Sequence, residues 1–250
     1  MQKKRADIRL RELGLCESRA QAHRLIMAGK VRLGPDQVIK KPNSSVPADA
    51  ELVIDEPYRY ASRGAEKLKP ALETYADKLP PDFKALDIGA STGGFTDLML
   101  QKGASLVYAV DVGYGLLAQK LRDDDRVILF ERVNARHLKA ETIPESVDVI
   151  TADVSFISVK KILPAAAPCL ASPGFAFILV KPQFEARRSE IGSKGVVRNN
   201  DVQQRCVAEV IDFCIQHLDW QHCNTFSSPI TGPKGNREYI TVFKHESDTA

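Results

Sequence analysis

Nine consecutive residues, Asp87-Ile88-Gly89-Ala90-Ser91-Thr92-Gly93-Gly94-Phe95, constrain this chain more than any others. They follow an apolar run at residues 85–88 and precede a helical pattern at 96–101. Glycine lets a backbone turn sharply and approach a ligand with no Cβ in the way. A strand that turns through such a loop into a helix belongs in a sheet whose ligands lie across the carboxyl ends of the strands. The glycine spacing is wrong for the G-x-G-x-x-G dinucleotide fingerprint. No lysine follows the second glycine pair, so it is wrong for a phosphate-binding P-loop too.

Around this loop the apolar pattern alternates between strand and helix. Strands are expected at residues 85–88, 106–110, 127–130, 147–152 and 175–180, with helical stretches between most of them. This is the signature of a mainly parallel sheet covered on both faces. A long helix at 201–218 and two strands near 223–226 and 238–243, joined by a turn-rich loop, predict a closing hairpin. Ser62 can cap a helix over 63–76, which Pro80-Pro81 then ends. The second strand ends in Asp111-Val112, about twenty residues past the glycine loop, where a carboxylate can accept hydrogen bonds from ribose hydroxyls. An adenosine-bearing ligand is therefore expected across Asp87, the loop 89–95, Asp111 and Val112. A side chain added at Gly93 is expected to obstruct it. On this spacing a methyltransferase is favoured over a dehydrogenase.

Four charged residues stand where chemistry is expected. Asp153 follows the apolar strand ending at Ala152, and Lys181 follows the one ending at Val180. Lys67 lies on the helix that precedes the sheet, and Glu238 opens the last strand. Any one of them alone reads as a cap, an ion-pair partner or a solvated charge. All four at one edge of one sheet read as a site.

The first 41 residues have a different character. They carry eleven Lys/Arg against four Asp/Glu, a local +7 within a chain whose formal net charge is +3. Such a head suits a polyanion. A charged helix is expected from Ala6 to a Gly14 cap, and a second from Arg19 to Ala28, capped by Ser18 and closed by Gly29. Short strand material follows at Val31, Leu33, Val38, Val46 and 52–54. Arg5 and Arg9 are expected to share a helix face, and with Arg19, Arg24 and Lys30 to grip phosphates. A linker is read at 57–64, and the boundary is set so that residues 1–59 are head and linker and 60–250 the body.

Several classes of function are disfavoured. No apolar run approaches the ~20 residues of a membrane span. The charged start lacks the apolar stretch of a secretory signal, and five cysteines without a C-x-x-C pair predict reduced thiols in a cytoplasmic protein. Cys214, His217, His222 and Cys223 lie close in sequence, but packing accounts for them better than zinc, so no metal is expected.

The string Arg5-x-Asp7-x-x-Leu10, Gly14, Ser18-Arg19-x-x-Ala22-x-x-Leu25-Ile26-x-x-Gly29-x-Val31 resembles the S-four RNA-binding domain. It departs from that family at Leu33-Gly34-Pro35, where a valine-asparagine-glycine hairpin is usual. The body resembles the FtsJ-like ribose methyltransferases. The combination resembles the TlyA-type "hemolysin A" family of ribosomal RNA 2′-O-methyltransferases. The resemblance implies a Rossmann-like class I methyltransferase sheet carrying a small N-terminal α+β RNA-binding domain. It implies S-adenosylmethionine as cofactor, held by the 89–95 loop, Asp111, Asn134 and Asp153. It also implies a lysine-aspartate-lysine-glutamate tetrad at Lys67, Asp153, Lys181 and Glu238, with ribosomal RNA or ribosomal subunits as partner and cytidine as target. Lys181 is expected to act as base and Asp153 to orient it, while Lys67 and Glu238 position the hydroxyl. A non-catalytic RNA-binding or assembly protein, and the membrane-active haemolysin implied by the older family name, are the alternatives.

Overall fold

The computed structural model describes residues 3–34, 37–54 and 59–246. The chain forms two compact units, residues 1–59 and 60–250.

In the first unit β1 (Lys3–Arg5) pairs antiparallel with β4 (Ser45–Pro47). Strand β2 (Val31–Leu33) lies between β3 (Gln37–Val38) and β5 (Leu52–Ile54). Helices α1 (Ala6–Glu12) and α2 (Arg19–Met27) pack together over a core of Ala6, Leu10, Ala22, Ile26, Val31, Val46 and Leu52. The Ser18 hydroxyl accepts from the Gln21 N–H at 3.2 Å, so the start of α2 is capped as its sequence demands. Gly14 and Gly29 follow the two helices at φ of 70° and 69°, a conformation that costs a Cβ-bearing residue energy. Pro35, the family departure, and linker residues 57 and 58 lie outside the described residues.

The second unit is a seven-stranded sheet flanked by helices. Its strands are β6 (Lys84–Ile88), β7 (Leu106–Asp111), β8 (Val127–Glu131), β9 (Val147–Ala152), β10 (Leu170–Val180), β11 (Gln221–Ser227) and β12 (Tyr239–His245). In space the order is β11-β12-β10-β9-β6-β7-β8. Five neighbours run parallel from β10 to β8, whereas β12 runs antiparallel to both β10 and β11. Both faces are buried, which explains why β6 and β9 read as near-continuous apolar runs. One face packs Leu86, Ile88, Ile150 and Phe243 with Val207, Val210 and Cys214 of α8 (Asn200–Leu218). The other packs Ala85, Val149 and Phe177 with α3 (Ala65–Thr74) and α4 (Gly94–Gln101). Truncating a fully buried residue such as Leu86 to alanine would cost about 2–5 kcal/mol. Three single-turn helices complete the unit: α5 (Gln119–Arg122), α6 (Leu163–Ala166) and α7 (Pro182–Glu185).

Helix α3 differs from the sequence expectation. It begins at Ala65, with Gly64 as the cap residue, and it carries Pro70 inside. The Ser62 hydroxyl accepts from the Gly64 N–H at 3.3 Å, ordering the entry turn without capping the helix itself.

Candidate active site and cofactor cleft

The sheet brings four distant pieces of chain to one edge. Ile88 lies beside Ala152, and Ala152 beside Ile178, so Gly89 and Asp153 emerge from neighbouring strands. The reversal of β12 matters most. Because it runs antiparallel to β10, Tyr239 at its start pairs with Val180 at the end of β10. Glu238 and Lys181 are thereby brought to the same edge from opposite chain directions.

Asp153 connects the two lysines, and Glu238 holds one of them. Lys181 Nζ lies 2.5 Å from Asp153 Oδ1 and donates to Ser155 Oγ at 2.8 Å. Lys67 Nζ, from α3, lies 2.8 Å from Glu238 Oε2 and 3.6 Å from Asp153 Oδ2. Glu238 is only 1% exposed, and its other oxygen accepts from Gln183 Nε2 at 3.3 Å. A Cβ on Gly232 would overlap its carboxylate, so that glycine makes room for it. Burial pulls the Lys67 ammonium down, but Asp153 and then Glu238 outweigh it, and the net shift is upward. Lys67 is therefore a held positive charge at neutral pH, poorly suited to take a proton.

Beside this group lie two adjoining hollows that share Gly89, Ser91 and Asp153. The larger, about 540 Å³, is lined by Asp111, Val112, Asn134, Phe156 and apolar residues including Ile88, Val110 and Ile162. The smaller, about 190 Å³, lies among Ser62, Gly64, Ala90, Thr92, Gly94 and Phe95. Such volumes and such an apolar lining with few polar groups suit a nucleoside-sized ligand. Asp111 already accepts from the Ser91 and Gly113 N–H groups, both at 2.7 Å, which fixes its carboxylate at the cleft wall. Asn134 Oδ1 accepts from the Arg136 N–H at 3.1 Å, so its carbonyl is engaged in the turn.

Several sequence-derived assignments change. Asp87 does not reach the cleft. It is buried beneath the loop and accepts from the Thr96 hydroxyl at 2.6 Å and the Thr151 hydroxyl at 2.8 Å. Burial, only partly offset by these two donors, pushes its carboxyl up to about 6. The Gly93 position where a side chain would sit is also taken up by packing. At φ 91° its missing Cβ would strike Leu121 and Leu117, so a side chain there would disturb packing first. Gly89 is the glycine at the strand crossing, where a Cβ would run into the Asp153 carbonyl.

Ser155, Phe156 and Gln183 adjoin the charged set but carry no charge of their own to mark them in the sequence. Phe156 is 92% exposed at φ 64°, an uncommon conformation for a bulky residue. Its ring centroid lies 5.4 Å from that of Phe184. An exposed aromatic three residues beyond Asp153 was the available signal.

The basic head also sorts differently from expectation. Arg5 and Arg9 do not share a helix face, since Arg5 ends β1 and precedes α1. Arg9 is turned inward, donating through Nε to the Ala50 carbonyl at 3.0 Å and lying 3.6 Å from Glu12. Arg5 and Arg19 both bind Asp7. Arg24 is exposed on α2, and Lys30 follows it in the turn before β2.

Comparison with known proteins agrees with this geometry. Residues 60–245 match the FtsJ-like methyltransferase family and residues 4–52 the S4 domain. The chain is 42% identical to the 16S/23S rRNA (cytidine-2′-O)-methyltransferase TlyA of Mycobacterium tuberculosis, over 98% of this chain and 91% of that protein. It is 38% identical to Hemolysin A of Brachyspira hyodysenteriae, over 96% and 99% of the two chains. A solved structure named as a hemolysin, from Streptococcus thermophilus, superposes with a TM-score of 0.74 at 41% identity, covering 99% of this chain and 90% of that one. No helix among the described residues is long and apolar enough to cross a membrane.

Proposed function

Since the chain belongs to the FtsJ-like methyltransferase family and carries an S4 domain, we infer that it methylates the 2′-hydroxyl of a cytidine ribose in ribosomal RNA, in the cytoplasm, using S-adenosylmethionine. The observation that carries this reading is the linked set Lys67, Asp153, Lys181 and Glu238, whose Asp153 lines a nucleoside-sized cleft.

The cleft fits the cofactor by its own chemistry. Asp111 offers carboxylate lone pairs for vicinal hydroxyls, and apolar walls suit an adenine ring. When bound, S-adenosylmethionine supplies an electrophilic methyl carbon on a sulfonium whose positive charge is lost on transfer. A ribose hydroxyl is a weak nucleophile at neutral pH, so the protein has to deal with its proton. Asp153 and Ser155 occupy two directions around Lys181 Nζ and leave the remaining one for the substrate oxygen. Lys181 is the base in this reading, and Asp153 orients it. Lys67, tied to Glu238 and kept charged, sets a fixed positive field beside the oxygen as its negative charge grows. The exposed Phe156, packed against the half-buried Phe184 beside Lys181, presents ring surface suited to stacking an unpaired base. Arg5, Arg19, Arg24 and Lys30 supply phosphate contacts from the head.

The test is a map of 2′-O-methyl groups in ribosomal RNA from cells with and without the gene. A cytidine methylated only when the protein is present supports the reading. Identical maps overturn it.

A further inference from the structure

A carboxylate buried in a head that otherwise carries positive charge calls for an explanation. Asp7 is 2% exposed and sits in the first turn of α1. It accepts four hydrogen bonds: from Arg5 Nε at 3.0 Å, Arg5 Nη2 at 2.9 Å, Arg19 Nε at 3.0 Å and the Ile8 N–H at 3.0 Å. Arg5 closes β1, and Arg19 is the first residue of α2 after its Ser18 cap. One carboxylate therefore joins the end of a strand to the first turns of two helices.

The guanidinium groups it holds are not themselves buried, since Arg5 and Arg19 remain 46% and 57% exposed. A guanidinium has five N–H donors in a rigid planar fork. Arg5 spends two of them on Asp7 and keeps three. Arg19 spends only Nε–H, so both of its terminal amino groups, four N–H bonds, are left for another acceptor. Hydrogen bonding to Arg5, and secondarily to Arg19, holds the Asp7 carboxyl down to about 2 against the opposing effect of burial, so it stays ionised at any working pH. Arg9, close by on the same helix, is the counterexample: its side chain is 17% exposed and donates to backbone, so it has little to offer a ligand.

We propose that Asp7 is a positioning residue for an RNA-phosphate clamp whose two jaws are Arg5 and Arg19. The clamp rests on the RNA-binding reading of the head and adds what aims two of its cations. Two long side chains that would otherwise lose freedom on binding are ordered during folding instead. The exposed edges of their forks match the paired oxygens of a phosphodiester.

The proposal makes a prediction whose sign runs against simple electrostatics. Asp7→Asn removes a negative charge, so a carboxylate that merely neutralised the head would, once removed, leave RNA binding tighter and its salt dependence steeper. A positioning carboxylate gives the reverse, weaker binding by about tenfold despite the gain in net positive charge. The experiment is filter binding of the full-length protein to purified ribosomal RNA over a series of salt concentrations. Wild type, Asp7→Asn, Arg19→Lys and Arg19→Ala are compared, and S-adenosylmethionine affinity is measured as a control on folding of the body. Arg19→Lys keeps the charge on an exposed side chain but loses the fork, and a loss of about fivefold or more is expected. Should Asp7→Asn unfold the head, Arg19→Lys decides alone, and wild-type affinity in that variant overturns the clamp. Tighter binding by Asp7→Asn overturns the positioning role while leaving RNA binding intact. Wild-type affinity independent of salt and of Arg19→Ala overturns the RNA-binding reading beneath it.

Discussion

Asp7 in the head and Asp153 in the body each hold two cations, and they differ in what they leave exposed. In the head, Asp7 holds Arg5 and Arg19, whose side chains stay about half exposed. In the body, Asp153 holds Lys67 and Lys181, whose side chains are 12% and 7% exposed. Arginine cannot give up its proton near neutral pH, and its fork suits phosphate, so an exposed arginine pair is a grip. Lysine is a compact charge that burial and neighbours can tune, so a lysine pair enclosed beside a cleft can act on a single atom. On the proposed function the same charge motif serves binding in one unit and chemistry in the other, and exposure and side-chain type decide which.

The sharpest way to break the comparison is to change the kind of cation. Lys181→Met should leave the cofactor affinity near wild type and lower methyl transfer by ~10²-fold or more. Lys181→Arg should be nearly as damaging if the residue takes the proton. Single-turnover rates at saturating cofactor check both, and an arginine variant with most of its activity would make Lys181 a fixed charge like Lys67. Next in size, Asp111→Ala should weaken S-adenosylmethionine binding by about 10–100-fold, because a charged acceptor for hydroxyls is lost. Isothermal calorimetry measures this, and unchanged affinity would remove Asp111 from the cofactor site. A smaller effect separates the head arginines. Arg19→Ala should weaken RNA binding and lower the salt slope by about one. Arg9→Ala should instead lower the melting temperature of the head and leave that slope near wild type, since Arg9 is committed to the Ala50 carbonyl.

The smallest prediction concerns acid. Asp7 has a folded-state pKa of about 2, below its ordinary 3.8, so its stabilising contribution is present above pH 4 and lost as pH falls toward 2. Asp87 is shifted the other way, to about 6, so its contribution favours the folded state below pH 4 and is lost as pH rises through 6. Asp7→Asn should therefore flatten the stability profile of the head between pH 4 and 2. Asp87→Asn should flatten that of the body between pH 4 and 6. Hydrogen exchange follows the head, and the fluorescence of Trp220, the single tryptophan, follows the body.

Much of this was legible in the chain. The apolar runs located β6, β7, β8, β9, β10 and β12, because strands packed against the core carry apolar residues along their length, whereas β11, exposed along most of its length at the sheet edge, is legible only as the partner in a hairpin. The charges at the strand ends located Asp153, Lys181 and Glu238 for the same reason, since a charge that borders such a run marks where the strand leaves the core, whereas Lys67 lies on α3. What stayed hidden depended on partners far away in sequence. The pairing of Tyr239 with Val180, which brings Glu238 to the edge that Lys181 occupies, needs the last strand to insert beside β10, and a hairpin pattern does not say where it inserts. Arg9 resembles Arg5 until the Ala50 carbonyl, 41 residues on, is seen to claim it. Gly93 looks like a ligand-facing glycine until Leu117 and Leu121 are found where its side chain would go. Asp87 looks like a cofactor ligand until Thr96 and Thr151 take both of its oxygens.

On the proposed function, the lysines held by Asp153 direct methyl transfer to a ribose oxygen. The most direct measurement incubates the purified protein with ribosomal RNA and methyl-labelled S-adenosylmethionine, digests the RNA to nucleosides and identifies the labelled product. The account predicts label in 2′-O-methylcytidine with wild type, and about a hundredfold less with Lys181→Met. Label on a base, or undiminished 2′-O-methylcytidine from Lys181→Met, would contradict it.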